Sequence, residues 1–360
     1  MNFWQQLPKP IMVLAPLADV TDAAFRRMIA KYSAHERADG SVGGPDVFWT
    51  EFVSADGLMR ADEEGKQKLM ADLIYTEEER PIIAQLFSSH PEYMEQAAAL
   101  CLELGFDGID INMGCPDRSI ERQGCGSAMI RTPALAREVI RAAKRGAGAI
   151  PVSVKTRLGY NHDQLEEWLP ELLAEEPAVI TVHARTRKEM SKVPARWERV
   201  ARAVQIRNER GSETLIFGNG DALSIEDAHA KIAQSGADGV MLGRAIFGNP
   251  WLFHPTKRLP ERLTTAPVSL PYHHAAEGVT AADTNGYDLI TVEERLNALI
   301  EHSQLFVDLL PHKNFATMKK HYKAYVNGFA GAKELRMELM AAKGVDEVAA
   351  HVHAFLKATC

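Results

Sequence analysis

The chain has 360 residues, 46% hydrophobic and 25% charged, the balance of a soluble globular enzyme with one large core and room for a smaller second unit. Its net charge of -7 excludes a protein coated in basic surface, so any contact with nucleic acid must come from local patches. The four cysteines, Cys101, Cys115, Cys125 and Cys360, show no CxxC spacing and are too few for a disulfide scaffold, which argues against a zinc site or a cross-linked fold.

In chain order, short β-type runs alternate with amphipathic helical stretches. Ile11–Ala15 is an apolar run ending at Pro16, and Thr21–Tyr32 reads as a helix capped by Thr21 or Asp22. Val47–Phe52 and Ile82–Phe87 are strand candidates, the latter followed by a helix Pro91–Leu104 with proline at its start. Gly108–Asn112 precedes a helix Pro133–Arg145, and Val152–Lys155 a helix over Gln164–Ala174. Val179–His183 leads to a helix at Trp197–Arg207, Leu215–Gly218 to a helix Ser224–Ser235, and Gly239–Leu242 is the eighth strand. Eight such units predict an α/β fold, a (β/α)8 TIM barrel over residues 1–253. Runs such as Ile82–Phe87 are apolar on both faces, as buried parallel strands require. An open doubly wound sheet is the rival, but Ala15-Pro16-Leu17-Ala18 after the first strand is not its glycine fingerprint.

Composition shifts after Phe253. Residues 254–290, covering the Pro-, Thr-, Ala- and His-rich segment His254–Asp288, read as an irregular insertion or linker. Helical periodicity returns over 291–360 without strand candidates, predicting a smaller all-helical C-terminal domain. Met1–Lys9 has no signal-peptide pattern, and no apolar run approaches the roughly 20 residues of a membrane span. These features predict a cytoplasmic protein with reduced thiols, no membrane contact and no metal.

Catalytic groups of such barrels sit at the carboxyl ends of the strands. There the sequence places Gln85, then Asn112 before Gly114-Cys115-Pro116, then Lys155 with Arg157, then His183 with Arg185. Strand seven ends in Gly218-Asn219-Gly220-Asp221 and strand eight in Gly243-Arg244. The loops after strands seven and eight are where such barrels hold phosphate, so these glycines and Arg244 point to a phosphorylated cofactor. Lys155 inside an apolar strand demands an anionic partner. Cys115 lies on a tight loop beside that site; a free cysteine is more often a small buried hydrophobe, but here its thiol is placed to donate a proton. Cys125, between glycines, reads as structural.

Together these motifs resemble the tRNA-dihydrouridine synthase family. The matching text is Ala15-Pro16-Leu17-Ala18 with Thr21-Asp22-Ala23-Ala24-Phe25-Arg26, then Asn112-Met113-Gly114-Cys115-Pro116 and Gly124-Cys125-Gly126-Ser127. It continues with Lys155-Thr156-Arg157, His183-Ala184-Arg185-Thr186-Arg187, Gly218-Asn219-Gly220-Asp221 and Gly243-Arg244. The resemblance implies a flavin (FMN) barrel that reduces the C5–C6 double bond of uridine in tRNA, with NADPH, or NADH, as reductant. Carried over, Pro16, Leu17 and Ala18 would line the flavin ring, and Gln85, Lys155 and His183 would bond its polar edge. Asn219, Gly220, Asp221, Gly243 and Arg244 would hold its phosphate end. Asn112, Arg157 and Arg185 would face the substrate, and Cys115 would protonate C5. Two alternatives remain: a barrel of this kind acting on a free pyrimidine, and a tRNA-binding protein without catalysis.

The sequence also departs from that pattern. Leu17 stands where the family usually has Met, and the family's aromatic, Gly-containing stretch after Arg187 is replaced by Lys188–Trp197, a loop expected over the site. His35–Gly44 and His254–Asp288 look longer than usual. In the C-terminal domain Lys319, Lys320 and Lys323, interleaved with His312, His321, Tyr322 and Tyr325, predict a patch that neutralises phosphates and stacks on tRNA, against the plainer reading of a solvated helix face. Arg118, Arg122 and Arg131 form a second basic group after the Cys115 loop.

Overall fold

A computed structural model describes residues 2–260 and 287–359; residues 261–286, most of the expected insertion, and Cys360 lie outside them. The chain divides into two compact units, Met1–Asp22 with Pro45–Arg244, and Ala23–Gly44 with Ala245–Cys360.

The first unit is built on eight parallel strands: β1 Ile11–Leu14, β2 Phe48–Ser54, β3 Ile82–Phe87, β4 Gly108–Met113, β5 Val152–Arg157, β6 Val179–His183, β7 Leu215–Asn219 and β8 Gly239–Leu242. They neighbour one another in the order β1, β8, β7, β6, β5, β4, β3, β2. The ring closes between β1 and the start of β2: Val13 bridges Val47, Leu14 N–H donates to the Val47 carbonyl at 3.2 Å, and Asp46 N–H donates to the Met12 carbonyl at 2.8 Å. This is the predicted (β/α)8 barrel. Every residue of β3 and β4 is buried, as expected of strands covered on both faces.

The end of the barrel opposite the strands' carboxyl termini is filled by the chain's own N-terminus. Trp4 is buried against Trp49 of β2 and edge-on to Phe217 of β7, with ring centroids 5.8 and 5.5 Å apart. Burying three large aromatics there removes apolar area from water. Helices Pro91–Glu103 and Pro133–Ala147 each start with proline, whose missing N–H costs nothing in a first turn. Helix Ile225–Ser235 is capped by Ser224, whose hydroxyl accepts from Asp227 N–H at 3.1 Å. Helices Ala55–Arg60 and Glu63–Ala71, absent from the sequence reading, follow β2.

The second unit contains helices Ala23–Tyr32, Val292–Leu309, Lys319–Tyr325, Ala332–Ala341 and Val345–Thr359. Two short paired segments, His35–Glu36 with Val42–Gly43 and Lys257–Arg258 with Asp288–Leu289, accompany them. Helix Ala23–Tyr32 belongs here because it packs on Val292–Leu309. Phe25 stacks on His302 at 4.8 Å, Lys31 pairs with Glu301 at 2.7 Å, and Tyr32 donates to Glu301 at 2.8 Å. A capping box of Thr291 and Glu294 starts the long helix. Among the described residues no helix is long and apolar enough to cross a membrane.

Candidate active site

A cavity of about 280 Å³ opens at the carboxyl ends of the barrel strands. The strand-end residues expected to hold cofactor or substrate line it: Pro16, Leu17 and Ala18 after β1, Gln85 on β3, Asn112 and Cys115 from β4, Lys155 and Arg157 on β5, His183 and Arg185 from β6, Asn219, Gly220 and Asp221 from β7, and Gly243 and Arg244 after β8.

The Cys115 loop is fixed by backbone contacts. The Asn112 side-chain oxygen accepts from the N–H groups of Gly114 and Cys115 at 3.1 and 2.9 Å. Its amide donates to Gln85 Oε1 at 3.0 Å, and Gln85 Nε2 donates to Asp110 Oδ2 at 2.6 Å. Ser153 donates to the other Asp110 oxygen at 2.7 Å. A polar chain therefore runs from buried Asp110 to the backbone of Cys115. The thiol packs against Phe87, Ile120 and Cys125, with Phe52 beside them. Burial pushes its pKa up, and the nearby Lys155 and Arg157 cations only partly offset this, so at neutral pH it keeps its proton.

Lys155 and Asp110 share the barrel interior. Burial lowers the lysine to about 8, with Arg157 adding to the shift and Asp110 opposing it. Burial raises Asp110 to about 6 against hydrogen bonds from Gln85 and Ser153. Desolvation thus outweighs mutual attraction for both groups. Lys155 makes no hydrogen bond among the described residues. His183 is held neutral, chiefly by burial and then by the cations of Arg157, Lys155 and Arg185. Arg185 Nη1 lies 3.2 Å from His183 Nε2, and since a guanidinium only donates, Nε2 accepts and the ring proton sits on Nδ1.

The arginines are stapled to loops. Arg157 donates to the carbonyls of Gly114 at 2.7 Å, Met190 at 3.1 Å and Thr186 at 3.2 Å. Arg185 donates to the Val193 carbonyl at 2.6 Å and pairs with Asp221, which also pairs with Arg244 and accepts from Ala195 N–H at 2.8 Å. Asn219 ties β7 to β8 by donating to the Met241 carbonyl at 2.8 Å. Gly220 has φ +119°, and a Cβ there would stand 2.9 Å from the Ala195 methyl and 3.1 Å from the His183 ring, so no larger residue fits. The unusual loop Lys188–Trp197 forms part of the cavity rim: Ser191 lines the cavity, and Glu189 joins Thr186 N–H to Arg196.

Several lining or supporting residues escaped the sequence reading. Asp110 is one, although its alternation with Asn112 in Gly108–Met113 was a usable signal. Phe52 and Ser191 also line the cavity, and Glu121, Ser127 and Tyr160 stand behind the Cys115 loop. Arg118, Arg122 and Arg131 are exposed, with Arg131 lying 4.5 Å over the Tyr160 ring.

In the helical unit Lys319, Lys320 and Lys323 border a cleft of about 490 Å³ with Arg336, Met337 and Met340. One expectation is corrected here. His321, Tyr322 and Tyr325 are fully buried and cannot stack on a nucleic acid. With Met318 they follow the i, i+3, i+4, i+7 spacing of a core stripe, leaving the lysines on the other side. Among the described residues, no group of three His, Cys, Asp or Glu is placed to hold a metal ion.

Residues 13–359 match the family described as dihydrouridine synthase (Dus). A probable tRNA-dihydrouridine synthase 2 of Bacillus subtilis (strain 168) is 38% identical over 97% of this chain and 95% of its own length. Probable tRNA-dihydrouridine synthases of Staphylococcus aureus (strain MRSA252) and Staphylococcus epidermidis (strain RP62A) are each 34% identical, over 98% and 96% of this chain and 95% and 94% of theirs. The chain belongs to the dihydrouridine synthase family.

Proposed function

We propose that the protein is a tRNA-dihydrouridine synthase. It reduces the C5–C6 double bond of uridine in tRNA, with FMN in the barrel cavity and NADPH, or NADH, as reductant. The observation that carries this reading is a thiol kept protonated by burial, Cys115, in the same cavity as Lys155, a cation without a hydrogen-bond partner among the described residues.

The lining suits an anionic cofactor. Lys155, Arg157, Arg185 and Arg244 face it against one carboxylate, Asp221. In a partly enclosed site this excess of positive charge favours both a phosphate and an anionic ring edge. Lys155 and the Nδ1–H of His183 are the donors for a flavin's polar edge. Gly220, Gly243 and Arg244 form its phosphate end, and Pro16, Leu17 and Ala18 its apolar wall. A flavin held by these residues would supply the hydride for uracil C6, and NADPH or NADH its electrons.

The chain's own part is to place the uracil and deliver a proton. Asn112 fixes the Cys115 loop, and Cys115 gives its proton to C5, leaving a thiolate near the Lys155 and Arg157 cations. The uridine must leave its stack to enter the cavity. Lys319, Lys320 and Lys323 hold tRNA phosphates, and the exposed Arg118 and Arg122 add a second contact. The compartment is the cytoplasm, where tRNA is processed and thiols stay reduced.

The test is anaerobic incubation of flavin-loaded protein with NADPH and an unmodified tRNA transcript, with dihydrouridine measured by nucleoside mass spectrometry. Dihydrouridine in the tRNA is the expected result. Reduction of free uracil or uridine but not of tRNA would overturn it in favour of a free-pyrimidine enzyme.

A further inference from the structure

Behind the Cys115 loop lies an ion pair with no part in the chemistry above. Glu121 ends the short helix Arg118–Glu121, and its side chain is only 8% exposed. It accepts from Arg187 Nε at 2.8 Å and, through its second oxygen, from Arg187 Nη2. Ser127 Oγ stands 2.8 Å from the same carboxylate and 2.9 Å from the Cys115 carbonyl, while Ser127 N–H donates to that carbonyl at 2.9 Å. Gly126, at φ +61°, makes this approach possible: a Cβ there would lie 2.7 Å from the Cys115 oxygen. Arg187 comes from the loop after β6, 66 residues away in sequence. Its guanidinium lies 5.1 Å over the Tyr160 ring from the loop after β5, and its own N–H donates to the Gly159 carbonyl at 2.9 Å.

We propose that Glu121 and Arg187 are positioning residues for Cys115, locking three strand-end loops together and fixing, through Ser127, the direction in which the thiol points. The physical case is bidentate geometry around a carboxylate that is 8% exposed, paired with a guanidinium that is 26% exposed. A fork of two N–H···O bonds resists rotation as a single contact cannot, and the covered carboxylate reduces the screening that empties fully exposed pairs of value. Asn112 holds the N–H side of Cys115 and Ser127 the carbonyl side. With both peptide groups pinned, only the side-chain torsion of Cys115 remains free. Proton delivery to one carbon requires this, because a small misplacement of a catalytic group costs orders of magnitude in rate. Arg187 also opens the loop whose Met190 carbonyl receives Arg157, so the pair couples the acid's loop to the cavity rim.

This inference rests on Cys115 being the proton donor. The experiment compares Glu121→Ala, Glu121→Gln, Arg187→Lys and Cys115→Ala in flavin-loaded protein. Glu121→Ala should lower kcat on tRNA by roughly 10- to 100-fold, with the KM for tRNA and the rate of flavin reduction by NADPH within about twofold of wild type. Glu121→Gln, nearly the same shape, keeps one bond to each partner and should lose about 3- to 10-fold; it carries the test if the alanine variant fails to fold. A readout without turnover is alkylation of Cys115 by iodoacetamide, followed by peptide mass spectrometry with buried Cys101 as internal reference. The Cys115 rate should change by about threefold or more in Glu121→Ala, since access and orientation set it. A merely structural pair would lower Tm and leave both kcat and alkylation unchanged, which would overturn the proposal. If Cys115→Ala retains full activity, the proton-donor reading itself has failed; if Cys115→Ala is inactive while the Glu121 and Arg187 variants match wild type, only the positioning role is lost.

Discussion

Replacing Cys115 with alanine separates chemistry from packing. The thiol is half-buried against Phe87, Ile120 and Cys125, so losing one sulfur should cost about 1 kcal/mol, the scale of a deleted methyl-sized group. That is small beside a typical stability of about 5–15 kcal/mol. The loop itself should persist, because its anchors are backbone groups: Asn112 holds the N–H of Cys115 and Ser127 its carbonyl. The catalytic loss should be far larger. A positioned general acid is worth about 10²–10⁴ in rate, or roughly 3–5 kcal/mol of barrier. The assay is anaerobic and has two stages: flavin absorbance bleached by NADPH, then reoxidation on mixing with tRNA, with dihydrouridine quantified at the end. The first stage should be unchanged and the second slowed by at least about 100-fold. With the thiol pushed up by burial, the wild-type second stage should stay level through neutral pH and fall only above the ordinary thiol pKa of about 8.5. A second stage within about threefold of wild type in Cys115→Ala would refute the reasoning, because the proton would then come from another group, such as Lys155, which burial lowers to about 8 in the same cavity.

Lys155→Met removes a cation whose burial is already unfavourable, so the flavin-free protein should be no less stable in a thermal melt while flavin affinity drops at least about tenfold. Changing Lys319, Lys320 and Lys323 together to Gln should flatten the salt dependence of tRNA binding by about 2 in log–log slope; an unaltered slope returns that face to plain solvation. His302 and His321 are buried with no hydrogen-bond partner among the described residues, His302 held well below the usual imidazole range and His321 at about 3, in both cases chiefly by burial. Their folded values lie below the unfolded value of about 6.5, so the stability they support is present above pH 6.5 and lost as pH falls from there toward 3, at up to about 1.4 kcal/mol per pH unit per histidine. Urea melts of wild type and of His302→Phe with His321→Phe, compared at neutral pH and near pH 5, should show the double variant losing less stability on acidification.

The strands were legible where apolar runs meet sharp punctuation. Ile82–Phe87, Val179–His183 and Gly239–Leu242 are observed with the limits expected of them: Pro81 stands directly before the first, Pro177 two residues before the second, and glycine itself opens the third. The polar strand ends were legible for the same reason: a lysine or histidine interrupting an apolar run must answer to something. Helix Glu63–Ala71 was not, because none of its residues is buried and it carries no stripe to read. The assignment of Ala23–Gly44 to the helical unit depends on Lys31 meeting Glu301 and Phe25 meeting His302, partners some 270 residues away that no local pattern names. The basic helix was misjudged by charge counting alone, since its helical period already put His321, Tyr322 and Tyr325 on one stripe and the lysines off it.

The altered loop after Arg187 shows why a departure in sequence need not undo a site. Its attachments to the barrel are mostly its own backbone: the Met190 carbonyl receives Arg157, the Val193 carbonyl receives Arg185, and Ala195 N–H reaches Asp221. Any residue but proline offers those groups, so side chains there can drift while the rim stays seated. The cost falls on the barrel instead. Arg157 and Arg185 spend their donors on the loops; as fixed cations they add to the burial that keeps His183 neutral, and Arg157, with Lys155, offsets part of the burial of the Cys115 thiol. Lysine in either place would keep the charge but lose the fork that reaches two or three acceptors at once. The two arginines therefore seat the rim through its backbone, whatever side chains the rim carries.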